Sequence, residues 1–508
     1  MPTTLSTLYT RVLRFPGFPA LSLFAISLLV LLRTAVPTIY TLDSGEFVIG
    51  ASKLGFVHAP GYPLFILLLH LFQQLPFADI GYSGNLFSAL CLALAVVCTY
   101  QMLRLLLHDR WLAWITALIF AWGYYIWLVG LFTEVYTPQL VTLALAGWAT
   151  VALLSQSRPG WRAALLAGSA YGLAVTMNPT SIFLAGGLVA AFCVARLRWS
   201  QRITAGMISI LIFASLQLYF PVRYVAQPIY NLAGQYTSNG VFVPINLGSL
   251  NGLTWMITGR QFGNLFFADG IIPPLSDFLN TLMLFVQNTL GFGLVFGGIG
   301  LMVLFRYSRA GFVIWYIAFI PYLYFYTSYG AGDKLTMFGP VFWLWSIPIG
   351  YGLRWLLDYW KAPTLRYVLI ILPLLLLIVN FPHLDLSTDY SVRQRTEAMM
   401  KALPANAIVF GHWGDIVPVE YLHIIEGSRP DITVYNQFLF TQTDLHTYID
   451  SLVMADKPVV LINSITQGIQ LTSDTWDWLI DGYHIDIEPV PLGPNQIPLY
   501  IYYLHAPV

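Results

Sequence analysis

The sequence contains very little charge. Only 9% of its 508 residues are Asp, Glu, Lys or Arg, whereas 57% are hydrophobic. Soluble domains need a much larger charged surface, so this composition excludes a soluble multidomain protein and is typical of integral membrane proteins. The 24 basic and 24 acidic side chains balance. Because there is no basic excess, no nucleic-acid partner is predicted.

Cysteine is also scarce. The three cysteines, Cys91, Cys98 and Cys193, all lie in apolar runs. Neither a disulfide framework nor a Cys-x-x-Cys metal site is therefore predicted. The first apolar run ends at Arg33 and continues into Pro37 without a small-residue cleavage pattern, so we do not expect a cleavable signal peptide.

Long apolar runs, in contrast, are abundant. A membrane-spanning helix needs roughly 20 predominantly apolar residues, and about 11 runs meet this requirement. They lie near 18–38, 84–107, 111–130, 138–155, 162–178, 181–197, 203–222, 279–305, 311–328, 338–357 and 367–382. The run 61–75 is shorter and begins with Gly and Pro. We interpret it as an interfacial or re-entrant helix, with a short twelfth span as the alternative.

The distribution of charge predicts the orientation in the membrane. Lys and Arg collect on the cytoplasmic side of short loops. With the N-terminus in the cytoplasm, 14 of the 19 basic residues before position 383 fall on cytoplasmic ends, and seven of the nine acidic residues fall on the opposite side. If 61–75 were a full span, every later loop would invert. We therefore predict a multi-pass membrane protein with a cytoplasmic N-terminus.

The charge pattern also predicts two regions. Residues 1–382 are expected to form the transmembrane region, with long outer loops at 39–83 and 223–278. Residues 383–508 carry five basic and fifteen acidic side chains. Short apolar strands alternate there with amphipathic stretches, which predicts a small extracytoplasmic α/β domain with a partly parallel sheet. No glycine-rich phosphate loop follows its strands, so no nucleotide site is expected.

The first outer loop carries the most suggestive polar residues. Asp43 and Glu46 are three positions apart and would share one face of a helix. Lys53, His58 and the rigid segment 59–63 follow closely. Since a carboxylate near a histidine can act as a general base on a hydroxyl acceptor, we predict Asp43, Glu46 and His58 as catalytic residues. The alternative is a solvated helix cap without chemistry.

The other outer segments contribute candidates for substrate binding. Polar groups of both signs beside a lipid-facing wall suit a substrate with a phosphate head and a long apolar tail. Arg223 and Arg260 are the expected phosphate partners, although an arginine at a helix end commonly just extends to the lipid headgroups. The adjacent Asp333 and Lys334 also fit a simple surface ion pair. The full predicted substrate-binding set is Lys53, Tyr62, Glu134, Tyr136, Arg223, Arg260, Gln261, Asp333 and Lys334.

The remaining histidines give no further site. His412 and Asp415 fit a common site, but the Gly-His-Trp-Gly-Asp segment is equally a turn from a strand into a capped helix, and we prefer that interpretation. His/Cys/Asp/Glu residues do not recur at metal-ligand spacing, so no metal site and no obligate cofactor are predicted. A single Asp-containing loop can still recruit a divalent cation.

Several segments resemble one family of membrane enzymes. The strings DSGEF (43–47), LGFVHAPGYPLF (54–65) and NLFSALCLALAV (85–96) are similar to the signature of the membrane glycosyltransferase family of the Transmembrane protein 260 O-mannosyltransferase type. The similarity continues at 219–231 and 258–262. The layout, with many helices, a long first outer loop with an acidic residue and a C-terminal soluble domain, resembles the GT-C superfamily.

The resemblance implies a polyprenyl-phosphate sugar donor whose tail lies in a groove among the helices. It also implies that Asp43, at the position of the first-loop acidic residue, serves as or assists the base that deprotonates the acceptor. Glu46 and His58 match the rest of the motif. Asn178 departs from it, because many relatives have a histidine near that helix end. Relatives of the protein O-mannosyltransferase type have an Asp and a Glu at adjacent positions, whereas Asp43 and Glu46 are three positions apart in this sequence.

Together these features predict a lipid-phosphate-sugar-dependent glycosyltransferase. It would move a mannose-like sugar to a hydroxyl of a protein, glycan or lipid on the non-cytoplasmic face of the cell membrane, in contact with membrane lipids. One alternative is a transporter or flippase, which the scarcity of ionisable residues inside the helices disfavours. The other is a catalytically silent scaffold whose tail binds a partner.

Overall fold

Long apolar segments that lack charged residues form helices over most of the chain. The computed structural model describes residues 17–268, 270–361, 364–464, 483–490 and 499–506. In the first half, the described helices are α1 Phe18–Thr34, α2 Ser44–Lys53, α3 Pro63–Phe72, α4 Ile80–Leu107, α5 Arg110–Ala121, α6 Tyr124–Leu128, α7 Tyr136–Leu154, α8 Trp161–Met177, α9 Ala185–Val194, α10 Trp199–Gln217, α11 Tyr219–Ala226 and α12 Leu250–Ile257.

The second half continues with helices and then changes to mixed structure. Its described helices are α13 Leu275–Thr289, α14 Phe292–Tyr307, α15 Arg309–Ser328, α16 Gly339–Trp360, α17 Leu365–Val368, α18 Ile371–Leu384, α19 Ser391–Ala402, α20 Trp413–Ile424 and α21 Gln442–Met454. Short 3-10 helices occupy Pro179–Leu184, Arg260–Leu265, Lys334–Phe338 and Gln437–Leu439. The described strands are β1 Gly234–Tyr236, β2 Phe242–Pro244, β3 Ile408–Gly411, β4 Thr433–Asn436, β5 Val459–Ser464, β6 His484–Pro489 and β7 Leu499–His505.

Several of these helices have the length and apolarity to cross a membrane. Among the described residues five segments qualify, or six when a bent pair is taken as one span. The five are Ile80–Leu107, Tyr136–Leu154, Trp199–Ala226, Arg309–Ser328 and Leu365–Leu384. The expected count of about 11 is not reached by this criterion and stays a prediction. Several of the other apolar runs form shorter helices, such as α5, which has 12 residues and ends before Gly123.

The apolar run 279–305 does not form one continuous helix. The chain bends there by 103° between α13 and α14. The cause is local, because Leu290 and Gly291 both adopt left-handed backbone conformations, with φ of 51° and 78°. Such residues end a right-handed helix, and glycine accepts this conformation without a steric penalty.

The run 61–75 forms only the short helix α3, which has 10 residues. At 1.5 Å per residue it is about 15 Å long, roughly half the thickness of a bilayer core. This length favours the interfacial or re-entrant interpretation over a twelfth span.

The C-terminal part contains a mixed five-stranded sheet in the order β4-β3-β5-β7-β6. Strand β3 pairs in parallel with β4 and β5, and β7 pairs antiparallel with β5 and β6. Helix α20 lies between β3 and β4 in the chain, and α21 lies between β4 and β5. The parallel pairing follows because a helix connects β3 to β4 and another connects β4 to β5.

Helix α20 packs directly on α2, the helix of the first outer loop. A Cβ atom on Gly45 would lie 2.9 Å from Cγ1 of Val417, so the two helices approach closely only because residue 45 has no side chain. Nearby, Arg393 of α19 donates two hydrogen bonds of 2.8 Å to Glu426 and lies 3.5 Å from Asp79. These contacts fix the C-terminal part against the first outer loop.

Backbone hydrogen bonds also join the two long outer loops. Phe56 N–H donates to the carbonyl of Tyr230 at 2.9 Å, and Leu232 N–H donates to the carbonyl of Phe56 at 2.8 Å. A Cβ atom on Gly55 would lie 2.4 Å from the Tyr230 carbonyl oxygen. Since that neighbour is backbone, it cannot rotate away, and position 55 requires glycine.

We expect Gly55→Ala to destabilise the protein by about 1–3 kcal/mol, as is usual for overpacking, because the two loops must separate to admit the methyl group. Thermal unfolding of the purified protein in detergent measures this as a lower melting temperature. Gly206→Ala is the matched control, since nothing lies within 4 Å of a Cβ at that position. Equal melting temperatures for the two variants would contradict the assignment.

Candidate functional site

One large cavity of about 760 Å³ lies where the outer loops meet the C-terminal part. Asp43, His58 and Tyr62 of the first loop, Tyr136 and Asp333 line it. All five were predicted as site residues, and the cavity brings them together. One side of its wall is apolar and consists of Ile257, Leu265, Phe266, Phe325 and Met337.

The centre of the site is a histidine between two carboxylates. Glu46 has no exposed surface and accepts two hydrogen bonds from His58, one from the backbone N–H at 2.6 Å and one from Nδ1 at 2.9 Å. The other ring nitrogen, Nε2, lies 3.9 Å from Oδ2 of Asp43. Asp43 precedes the first residue of α2 but makes no capping hydrogen bond with its side chain. Its carboxylate therefore faces the cavity, where it remains 19% exposed.

The surroundings of Asp43 and His58 shift the pKa values of both side chains. Burial raises the pKa of Asp43 to about 6, and the charge of Glu46 adds to this shift against the opposing charge of His58. Burial alone would lower the pKa of His58, but the carboxylates of Glu46 and Asp43 outweigh it and raise that pKa to about 9. The raised pKa of His58 favours its imidazolium form, and the raised pKa of Asp43 makes it a stronger base than an ordinary aspartate.

Aromatic rings enclose His58. The rings of Tyr62 and Phe262 lie 5.5 Å from the imidazole, and that of Trp413 lies 5.8 Å from it, all in edge-to-face orientation. These rings exclude water from the His58 side of the cavity. Trp413 also donates a hydrogen bond from Nε1 to Oδ1 of Asp43 at 2.9 Å.

Two further carboxyl groups lie close to Asp43. Burial and the charge of Asp43 raise the pKa of Asp333 to about 6. Burial also raises the pKa of Glu134 well above its ordinary value, and both aspartates contribute to that shift. Glu134 is buried behind the cavity wall, and its Oε2 has no hydrogen-bond partner among the described residues. Glu134 is thus close to the site without lining it.

Two of the basic residues predicted for substrate binding, Arg223 and Lys334, do not line the cavity. Arg223 donates to the carbonyls of Leu54 and Lys53 and so caps the C-terminal end of α2. Lys334 donates to the carbonyl of Thr327 and lies 3.7 Å from Asp277, not in a pair with Asp333.

Three other residues predicted for substrate binding, Lys53, Arg260 and Gln261, also lie outside the cavity lining. Arg260 is exposed. The reason is that basic side chains at loop ends reach solvent or free carbonyls more easily than a partly buried cavity. Gln261 accepts from the Ala59 N–H at 2.9 Å and donates to the Leu232 carbonyl at 3.4 Å. It therefore positions the loop that carries His58.

The C-terminal part contributes residues that are outside the predicted site set. Arg395, His412 and Trp413 all line the cavity. The sequence favours a turn from a strand into a helix at 411–415. This interpretation describes the backbone correctly, because β3 ends at Gly411 and α20 begins at Trp413. It missed that this turn faces the first outer loop. Only the close packing of α20 on α2 produces that juxtaposition.

Asn178, where the motif departs from the family pattern, also lines the cavity. Its Oδ1 accepts from the backbone N–H and the hydroxyl of Thr180, at 3.0 and 2.8 Å. In this chain the side chain caps the 3-10 helix that follows it.

The three central residues also have the donor types of a cation site. One ligand atom each from Asp43, Glu46 and His58 can be chosen so that all lie within 4.8 Å of one another. Two oxygens and one imidazole nitrogen suit a borderline divalent cation. As the structure stands, the Nδ1 atom of His58 is bonded directly to Glu46, so a cation would have to replace that contact or use Nε2.

Comparisons with known proteins give a consistent result. Residues 43–202 match the family described as Protein O-mannosyl-transferase TMEM260 N-terminal domain. The Protein O-mannosyl-transferase TMEM260 of Mus musculus is 24% identical over 433 residues, which cover 78% of this chain and 60% of the relative. The corresponding protein of Dictyostelium discoideum is 24% identical over 126 residues, covering 24% of this chain and 15% of the relative. The chain thus matches about three fifths of the length of the mouse relative.

A solved structure shares the fold. ArnT from Cupriavidus metallidurans, in a crystal structure bound to undecaprenyl phosphate, superposes with a TM-score of 0.59 at 11% identity, covering 96% of this chain and 98% of ArnT. The expected predominantly helical fold is confirmed, and it is shared with ArnT. The expected family resemblance is confirmed as well, because residues 43–202, which include Asp43, Glu46 and His58, match the family described as Protein O-mannosyl-transferase TMEM260 N-terminal domain.

Proposed function

We propose that the protein is a membrane glycosyltransferase that moves a sugar, mannose by analogy with its relatives, from a polyprenyl-phosphate donor to a hydroxyl acceptor on the non-cytoplasmic face. The observation that carries this proposal is the Glu46–His58–Asp43 arrangement at the wall of a cavity with an apolar side. A carboxylate with a raised pKa suits a general base, and the apolar wall suits an isoprenoid tail. The names of the relatives support the reaction class.

In the proposed reaction Asp43 takes the proton from the acceptor hydroxyl. The acceptor oxygen forms a bond to C1 of the sugar, the bond from C1 to the phosphate oxygen breaks, and its electron pair leaves with the lipid phosphate. Glu46 holds Nδ1–H of His58 and so directs Nε2–H towards Asp43. This contact orients Asp43 and balances its charge while the proton is transferred, as a buried carboxylate orients histidine in other hydrolytic and transfer sites.

The arrangement in the membrane belongs to the same proposal. About 11 spans, several of them broken, would form the GT-C-like transmembrane region at 1–382. The N-terminus would lie in the cytoplasm, and residues 383–508 would form an extracytoplasmic α/β domain. The contacts of α20 with α2 support a position of this domain on the same side as the first outer loop.

The first test is Asp43→Asn. The amide can still accept the Trp413 hydrogen bond but cannot take a proton. We expect sugar transfer to fall by about 10²–10⁴-fold, the usual contribution of a general base. The measurement uses purified protein, polyprenyl-phosphate mannose and other polyprenyl-phosphate sugars, and hydroxyl-bearing peptides analysed by mass spectrometry.

Asp358→Asn is the matched control, because Asp358 forms only an exposed ion pair with Arg354 and lies outside the cavity. It should leave transfer unchanged. Full activity in Asp43→Asn would exclude Asp43 as the base. If the wild type transfers no sugar from any donor yet moves lipid-linked sugar across vesicle membranes, the transporter alternative is correct.

The pH dependence follows from the two shifted pKa values. Asp43 must be ionised to act as a base, so kcat/KM should rise as pH increases through about 6. His58 must remain protonated to support Asp43, so kcat/KM should fall again through about 9. The expected profile is a bell between these values, measured with the wild-type enzyme at saturating acceptor.

Glu46→Gln tests the origin of the descending limb. Without the Glu46 charge the pKa of His58 drops, so the fall in kcat/KM should move to lower pH. A profile identical to that of the wild type would show that His58 does not set this limb. The melting temperature of the variant provides the control for folding.

We expect transfer to persist in EDTA, because the direct contacts of His58 with Glu46 and Asp43 already balance the charges that a cation would otherwise neutralise. The assay compares wild-type activity in EDTA with activity in added Mg²⁺ or Mn²⁺. Complete loss in EDTA, restored by either ion, would contradict this expectation and assign a cation to the Asp43, Glu46 and His58 group.

A further inference from the structure

The cavity contains one side chain with a permanent positive charge among its described lining residues, and that side chain is Arg395. It projects from the second turn of α19 and is only 7% exposed. Its nearest charged partner, Asp415, lies 3.8 Å away, which is longer than a charge-assisted hydrogen bond of about 2.7–2.9 Å. The guanidinium therefore keeps hydrogen-bonding capacity towards the cavity.

Helix α20 directs its N-terminal end at the same region, whereas the first N–H of α19, that of Ser391, already donates to the Asp389 carboxylate. The first residues of α19, Ser391 and Val392, line the cavity, as do His412, Trp413 and Gly414 at the start of α20. Both helices have 12 residues, and His412 makes no capping hydrogen bond with its side chain. The N-terminal end of a helix carries partial positive charge and unpaired N–H groups, which favour an anion.

His412 gives an independent indication of a ligand. Its Nδ1 atom is buried and has no hydrogen-bond partner among the described residues. A buried polar atom without a partner is unfavourable, so such an atom at a cavity wall is expected to bind a polar group of a ligand.

We propose that Arg395, His412 and the first turn of α20 bind the phosphate of the lipid-linked sugar donor. This inference rests on the proposed function and names the place of the leaving group within the same cavity. Asp43, Asp333 and Asp389 line the same cavity, so the phosphate would be held by the guanidinium and the α20 N–H groups against these carboxylates. The C-terminal part is then a component of the site and not a separate module beside it.

The consequence for the chemistry is direct. When the bond between C1 and the phosphate oxygen breaks, negative charge increases on the phosphate. A guanidinium and a helix N-terminus stabilise that charge where it develops, which lowers the barrier to departure. The contact between Trp413 and Asp43 places this anion site next to the carboxylate that receives the acceptor proton.

The test measures binding and not only activity. Wild-type protein in nanodiscs is titrated with undecaprenyl phosphate, with undecaprenol, which lacks the phosphate, and with inorganic phosphate, which lacks the tail. We expect undecaprenyl phosphate to bind more tightly than either of the others. In the double variant R395Q/D415N, which removes both charges of the pair, affinity for undecaprenyl phosphate should fall by about 10- to 100-fold, while that for undecaprenol stays constant.

The double variant removes both charges of the buried pair together, so the loss of Arg395 does not leave Asp415 without its cationic neighbour. Arg395→Lys keeps the charge but loses the planar fork and should show an intermediate loss. His412→Phe keeps a ring in place and should weaken phosphate binding without affecting undecaprenol. Lys401→Gln is the matched control, since Lys401 lies on the same helix but is exposed and outside the cavity.

The outcomes separate the two proposals. Unchanged phosphate affinity in R395Q/D415N overturns the anion site, even if the wild type transfers sugar as proposed. Equal wild-type affinities for undecaprenyl phosphate and undecaprenol overturn it as well. Binding that depends on Arg395, together with an absence of transfer from every sugar donor, supports the anion site and defeats the glycosyltransferase proposal instead.

Discussion

The architecture of the site depends on the complete burial of the Glu46 carboxylate. A charged group without exposure is very unfavourable unless it is paired and hydrogen-bonded. His58 meets this requirement twice, through its backbone N–H and its ring. The loop that carries His58 must therefore fold back on α2, and Gly55 and Gln261 hold it there. Once the imidazole is fixed, its second nitrogen necessarily faces Asp43.

The same burial explains how the C-terminal part comes to share the cavity. Residues 44–51 of α2 are all buried, although this helix lies in an outer loop. Part of the cover is α20, and the absence of a side chain at Gly45 permits its approach. Tyr230, whose hydroxyl donates to the buried Glu420 of α20 at 3.1 Å, ties the second outer loop into the same interface. Three distant segments therefore meet around one helix.

Sequence reasoning succeeded where the relevant geometry is local. Asp43, Glu46 and His58 lie within 16 positions, and helical spacing alone places the two carboxylates on one face. It failed where the geometry is tertiary. Arg223 and Arg260 have the charge that a phosphate requires, yet Arg223 caps a helix and Arg260 is exposed. Arg395 is about 350 positions from Asp43, and no local pattern distinguishes it from other tail arginines.

The cavity wall combines several carboxylates with one guanidinium. Burial, with a contribution from neighbouring carboxylates, raises the pKa values of Asp43 and Asp333. The guanidinium of Arg395 and the N-terminal end of α20 line the same cavity and favour anionic charge. Trp413 joins α20 to the carboxylates, because it begins that helix and donates to Asp43. Displacement of the C-terminal part would therefore remove a hydrogen bond from Asp43 and the cation together. Acceptance of a proton and departure of an anion thus depend on one packing contact between α2 and α20.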